Sequence, residues 1–337
     1  MGFMETTYLG LQLRNPLVAS AGPLTQTVDQ VKKLAGTGVG AIVMHSMFAE
    51  RLRRDAAHDA DLEDSYAESF AEATSYFPTP LLEPDPARNY LSLVERSAAA
   101  IPIPLIASLN AADVGSWTTY AKQLADAGAS ALECNIYFVP GDVSLTGAEV
   151  EARHLEIVAA VTSVVQIPVA VKMSPYFSST GNFALQLIEA GAYGLVLFNR
   201  FLQPKVLVSK MAVVSGLDLS TPADAHVPRT WIATLRNQTH ASLAATSGVD
   251  TVGDVVAYLL AGADVVMTTS ALVRHGAGYA EQLITGLSEW MASRGFKSVN
   301  DFRGKLAVPL DADANAYARA GYVSALENAQ ETYGSLA

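Results

Sequence analysis

The chain has 337 residues, half of them hydrophobic, enough to bury a large core. Its formal net charge is −11 with Lys and Arg scattered, which argues against nucleic acid or another polyanion as partner. The single cysteine, Cys134, excludes an internal disulfide and a Cys/His metal cluster, and suits a reducing compartment.

In chain order, a strand is expected over Pro16–Ala21, a short helix over Val28–Leu34 and a second strand over Gly40–His45. Further strands are expected over Ile103–Leu109, Ser130–Ile136, Pro168–Met173, Gly194–Asn199, Ala241–Thr246 and Ala263–Thr269. Helices alternate with them over Val114–Ala127, Gly147–Val165, Asn182–Ala190, Pro228–Gln238, Val252–Ala261 and Tyr279–Arg294. Eight strand-then-helix units predict a (β/α)8 TIM barrel, and the runs of Val, Ile, Leu and Ala suit parallel strands covered on both faces. Ala127-Gly128-Ala129, Ala190-Gly191-Ala192 and Ala261-Gly262-Ala263 place glycine where a helix ends before a strand. The competing open doubly wound sheet lacks its signature, a GxGxxG after the first strand.

Two long loops, Met47–Asn89 and Arg200–Val227, leave the C-terminal ends of strands two and six, the face on which barrels carry their active sites. The barrel is expected to occupy residues 1–306. Residues 307–337 form a C-terminal helical extension, with a helix over Ala316–Leu336 lying outside the barrel. No apolar run reaches the roughly 18 residues of a membrane span, and no basic-then-apolar leader follows Met1, so a cytoplasmic protein is expected.

Polar residues at strand ends carry the chemical information. Ser20 and Gly22 end strand one, and His45 and Ser46 end strand two. Asn135 ends strand four, Lys172 strand five and Asn199 strand six. A lysine in that position wants an anion or an electron-rich ring, and an Asn amide suits the edge of a flat heterocycle. Ser247-Gly248 and Thr269-Ser270 end strands seven and eight, where barrels commonly hold phosphate. Cys134 precedes Asn135 on one strand, so the two face opposite sides and Cys134 reads as core.

Taken together, these residues resemble the dihydroorotate dehydrogenase family, class 1. The likeness rests on Ala19-Ser20-Ala21-Gly22-Pro23, Glu133-x-Asn135, Val171-Lys172-Met173-Ser174-Pro175-Tyr176-Phe177, Ser247-Gly248-Val249 and Thr269-Ser270-Ala271-Leu272. Gly295-Phe296-Lys297-Ser298 and Asp301-Phe302-x-Gly304-Lys305-Leu306 extend it, so it covers roughly residues 5–306. The resemblance implies FMN as cofactor and hydride transfer between dihydroorotate, or a related dihydropyrimidine, and flavin N5. It implies flavin contacts from Ala19, Ser20, Gly22, Ser46, Asn135, Asn199 and Lys172, with phosphate held by Ser247, Gly248, Thr269 and Ser270. Lys172 would also stabilise negative charge on the reduced ring. Substrate contacts fall to Asn135, Asn199 and Ser75. A homodimer is implied, and the electron acceptor is not. Any iron–sulfur centre would belong to a partner, since this chain has no cysteine cluster.

The departures are equally specific. The family's Ser-Cys-Pro-Asn after the fourth-strand Asn carries the Cys that removes a substrate proton. Here the segment reads Ile136-Tyr137-Phe138-Val139-Pro140, with neither that Cys nor the Ser of class 2. The family's Asn- and Gly-rich substrate loop is replaced by Thr74-Ser75-Tyr76-Phe77-Pro78, and its lysine after strand two by His45. Tyr137, Ser144 and His45 are the candidate replacements for the base. Two further readings stay open: the same cofactor with another small substrate, and a flavin-free barrel with a binding role.

Overall fold

The computed structural model describes residues 3–49, 87–139, 141–200, 203–214, 216 and 218–334. Eight parallel strands close into a barrel: β1 (Leu17–Ala19), β2 (Ala41–Val43), β3 (Leu105–Asn110), β4 (Ala131–Asn135), β5 (Val169–Met173), β6 (Gly194–Leu197), β7 (Ser242–Ala245) and β8 (Val265–Thr268). Each pairs with the next, and β8 pairs with β1 to complete the ring. Around it lie α1 (Val28–Gly36), α2 (Arg88–Ala100), α3 (Val114–Asp126), α4 (Gly147–Val164), α5 (Thr180–Glu189), α6 (His226–Leu235), α7 (Val252–Ala261) and α8 (Tyr279–Ser293). The expected (β/α)8 barrel is the observed fold.

The strands alternate between two cores, as a period of two requires. Leu132, Cys134, Val169, Val171, Leu195 and Leu197 face the helices. Val18, Val43, Ile106, Ala131, Ala170, Val196, Ala244 and Met267 fill the interior. Capping boxes at Thr27, Thr146 and Thr251 start α1, α4 and α7. Gly262, at φ 119, ends α7 in the left-handed conformation and turns the chain toward β8.

Five elements were not expected from the sequence. A hairpin of Thr6–Tyr8 and Leu11–Leu13 closes the N-terminal end of the barrel, with Tyr8, Leu9 and Leu13 in the interior core. Its two-residue turn, Leu9-Gly10, has positive φ at both positions. Helix α2 buries Tyr90, Leu93, Val94 and Ser97, a helical spacing at the edge of the stretch expected to be loop. A second hairpin, Lys205–Leu207 with Ala212–Val214, lies in the loop after β6. A short helix, Ser270–His275, follows β8. After β2 the chain also resumes pairing with β3 at Met47–Phe48.

Helix α6 begins at His226, two residues before Pro228, because a first-turn proline gives up only an N–H that has no intrahelical partner anyway. Beyond the barrel, a helix runs over Ala314–Tyr333, and Tyr322, Val323 and Leu326 on it are exposed. Among the described residues no helix is long and apolar enough to cross a membrane.

Candidate active site

The alternation that buries alanine and valine inside the barrel also carries Ser108, Glu133, Asn135 and Lys172 inward near the C-terminal ends of β3, β4 and β5. Ser108 stands opposite Glu133, and Asn135 opposite Lys172, in the strand register. These residues lead into a cavity of about 660 Å³ at that end of the barrel. Its volume falls within the roughly 300–1,000 Å³ of small-molecule and cofactor sites. Ser20, Gly22, His45, Ser46, Asn135, Tyr137, Lys172, Asn199, Ser247, Thr269 and Ser270 all line it.

On the β2–β6 side the wall is a chain of side chains. The Asn199 amide donates to Asn135 Oδ1 at 2.5 Å, and Asn135 Nδ2 donates to Ser46 Oγ at 3.1 Å. The Ser46 and Ser108 hydroxyls meet at 2.7 Å. Lys172, 9% exposed, points its ammonium into the cavity floor, with Nζ 3.5 Å from Glu133 Oε1.

On the β8–β1–β7 side the wall is held through the backbone. Ser20 N donates to Thr268 O at 3.0 Å, and Thr269 Oγ1 donates to Ser20 O at 2.7 Å. Gly22 is required here by the neighbouring strand end, since a Cβ would lie 2.6 Å from Thr269 Cγ2. Ser247 and Gly248 both have positive φ, and a Cβ on Gly248 would lie 2.5 Å from Ala225 N. Gly248 therefore packs on the 222–225 segment and is not among the cavity-lining residues. Ala19 turns its side chain into the helix-facing core.

The loop after β6 supplies residues that the sequence did not single out. Ser220 donates to Ser270 Oγ from its backbone N at 3.0 Å and from its hydroxyl at 2.9 Å. Arg274 donates to Ser220 O at 2.9 Å and holds that segment over the cavity. Arg200 lines the same cavity, with its guanidinium 2.7 Å from Asp224 Oδ1 and donating to Asp218 O at 3.1 Å. The Asp224 carboxyl is lowered from its ordinary value: burial opposes the shift, but hydrogen bonds from Thr221 and Arg200 outweigh it.

Residues 85–291 match the family model described as dihydroorotate dehydrogenase. The chain belongs to the dihydroorotate dehydrogenase family. It is 25% identical to "Dihydroorotate dehydrogenase B (NAD(+)), catalytic subunit" of Thermoplasma acidophilum, over 90% of this chain and 99% of that one. It is 28% identical to "Putative dihydroorotate dehydrogenase A (fumarate)" of Aeropyrum pernix, over 64% of this chain and 72% of that one. It is 24% identical to "NAD-dependent dihydropyrimidine dehydrogenase subunit PreA" of Escherichia coli K12, over 89% of this chain and 76% of that one.

Within this family member, the three candidate bases are placed very differently. His45 N donates to Thr25 Oγ1 at 2.7 Å, and its ring packs edge-on against Tyr90 at 4.9 Å. Its Nδ1 lies 2.9 Å from Thr25 O. A carbonyl oxygen only accepts, so Nδ1 carries the proton. Tyr90 donates its hydroxyl to His45 O at 2.5 Å, and burial holds the Tyr90 phenol well above its ordinary pKa. Tyr137 lines the main cavity and a small annex shared with Phe138, Ser174, Asn199 and Arg200.

Ser144 lies elsewhere, on an exposed loop outside the cavity lining. Its hydroxyl donates to Asp142 Oδ1 at 2.7 Å. Ser75 falls outside the described residues. Cys134 is fully buried against the helices, and burial first, then the Glu133 charge, pushes its thiol up to about 12. Among the described residues no cluster of His, Cys, Asp or Glu could hold a metal ion.

Proposed function

We propose that the chain is an FMN-dependent oxidoreductase acting on dihydroorotate or a related dihydropyrimidine. The observation that carries this reading is the sharing of one cavity by a nearly buried cation, Lys172, and a hydroxyl-rich arc of Ser20, Ser247, Thr269 and Ser270. The donor set suits FMN at both ends. Lys172, Asn135, Asn199 and Ser46 offer a cation and amide and hydroxyl edges to a flat heterocycle. Ser247 and Ser270 offer hydroxyls, and Ser247-Gly248 a sharply turned backbone, to a phosphate. Bound there, FMN supplies the acceptor for a hydride equivalent from the substrate.

The protein's own part is positional and electrostatic. Lys172, itself almost buried, would place positive charge near the ring on which negative charge gathers on reduction. The Asn199–Asn135–Ser46–Ser108 chain fixes the orientation of both amides, so that each presents one edge only. With Nδ1 tied to the Thr25 carbonyl, any proton that His45 takes up or gives passes through Nε2. Tyr137 is the second proton-handling group on the wall. Two relatives are named as subunits, which supports a partner chain as the route for electrons leaving the site.

A second reading, the same cofactor with a different substrate, is favoured by Arg200. Together with Tyr137 it lines the cavity beside the segment where the family's base loop is replaced. Anaerobic addition of millimolar dihydroorotate to the FMN-loaded protein separates the two. Bleaching of the flavin bands within minutes supports the first reading. Bands that persist with dihydroorotate and dihydrouracil alike, but bleach with dithionite, transfer the assignment to the second.

A further inference from the structure

Glu133 has none of its surface exposed and sits in the barrel interior beneath the cavity. A carboxylate so placed needs partners for both oxygens. Oε1 has one, Lys172 Nζ, at a long 3.5 Å, and Oε2 has no hydrogen-bond partner among the described residues. The groups beside it in the register are the Ser108 hydroxyl, already engaged with Ser46, and the apolar Ala170. Tyr8, toward the closed end, stays neutral, because burial first and then the charges of Glu133 and Asp264 push its phenol well above the usual value. Among the described residues the carboxylate has one ion-pair partner, Lys172. That cation is the one that lines the cavity.

We infer that Glu133 is a positioning residue for Lys172: it draws the ammonium down into the cavity floor and partly offsets its charge, and so sets the field at the cofactor ring. The inference rests on the FMN reading above. It differs from a packing role in what it changes. A buried carboxylate kept for packing alone would leave the redox balance of the bound cofactor untouched. A counter-ion to Lys172 makes the reduced cofactor less stable than the lysine alone would make it. When the carboxylate charge is removed without changing shape, the full ammonium charge acts on the ring.

The test is the midpoint potential of bound FMN, measured by dye equilibration in the holoprotein. In Glu133→Gln the reduced cofactor is expected to gain at least a tenfold preference, about 30 mV upward for a two-electron couple. In a Lys172→Met background the same substitution is expected to move the potential by less than a third as much, because the effect passes through the lysine. Glu133→Asp, which keeps the charge but withdraws it by one methylene, is expected to fall between wild type and Glu133→Gln. It also carries the test if the glutamine variant does not fold. An unchanged or lowered potential in Glu133→Gln overturns the inference, as do equal shifts in both backgrounds. In the aspartate variant, a potential equal to that of wild type counts against it as well. Wild-type protein that takes up no FMN overturns the cofactor reading itself, and the inference falls with it.

Discussion

The two sides of the cavity are built by different means. On the β8–β1–β7 side, hydroxyls and N–H groups bond to backbone carbonyls, as Thr269 and Ser20 do, and glycine allows the strand ends to touch. On the β2–β6 side, side chain bonds to side chain, from Asn199 through Asn135 to Ser46, with the Glu133–Lys172 pair beneath. Backbone-held geometry is indifferent to charge and suits a group such as phosphate that only has to be gripped. A wall of amides and one buried ion pair has an electrostatic character that single residues can retune. On the FMN reading, cofactor anchoring would fall to the first side and control of reactivity to the second.

Substitutions on the two sides should therefore fail in different ways. The largest effect is expected from Lys172→Met, which removes the cation of the reactive side. Flavin reduction, followed by anaerobic stopped-flow, should slow by about 10²–10³-fold while the protein stays folded. A change under threefold would break the contrast. Next comes His45→Gln, expected to lower the reduction rate by about 10²-fold, the low end for a positioned acid or base. Tyr137→Phe should cost clearly less, and the reverse ranking would move proton handling to Tyr137.

On the anchoring side the expected loss is in stability. Gly22→Ala puts a methyl 2.6 Å from Thr269 Cγ2 and 2.7 Å from its Oγ1. Overpacking of that kind costs about 1–3 kcal/mol, measurable as a lowered urea midpoint. Adding Thr269→Ala should recover part of the loss, since it removes both clashing atoms. The smallest effect belongs to Ser144→Ala, on an exposed loop outside both walls. Stability should stay within about 0.5 kcal/mol of wild type, and the reduction rate should be unchanged.

The barrel was legible because its strands are mostly runs of Val, Ile, Leu and Ala at regular spacing, each followed by a helix. The place of Ser20, Ser247, Thr269 and Ser270 on the cavity was legible too, since they sit at strand ends where the β/α repeat puts them. Three features were less accessible. Helix α2 begins at the proline-rich end of a polar stretch that reads as loop, although Tyr90, Leu93, Val94 and Ser97 already carry the helical spacing. The Ser220–Ser270 contact joins residues 50 apart through a loop that folds back over the rim, and no local pattern encodes that return. Glu133 read as one letter of a motif. Its burial and its unpartnered oxygen come from the inward parity of β4, which only the closed barrel reveals. Ser144 shows the converse: it lies near the replaced base loop in sequence, but its hydroxyl turns to Asp142 at the surface.

The central claim is that both walls grip a single flavin mononucleotide. Its most direct measurement is equilibrium titration of the apoprotein with FMN, read by quenching of flavin fluorescence and by the flavin released on denaturation. The account predicts saturation at one FMN per chain, with riboflavin, which lacks the phosphate, binding far more weakly. No saturable uptake at a hundredfold excess of FMN, or equal binding of riboflavin, would contradict it.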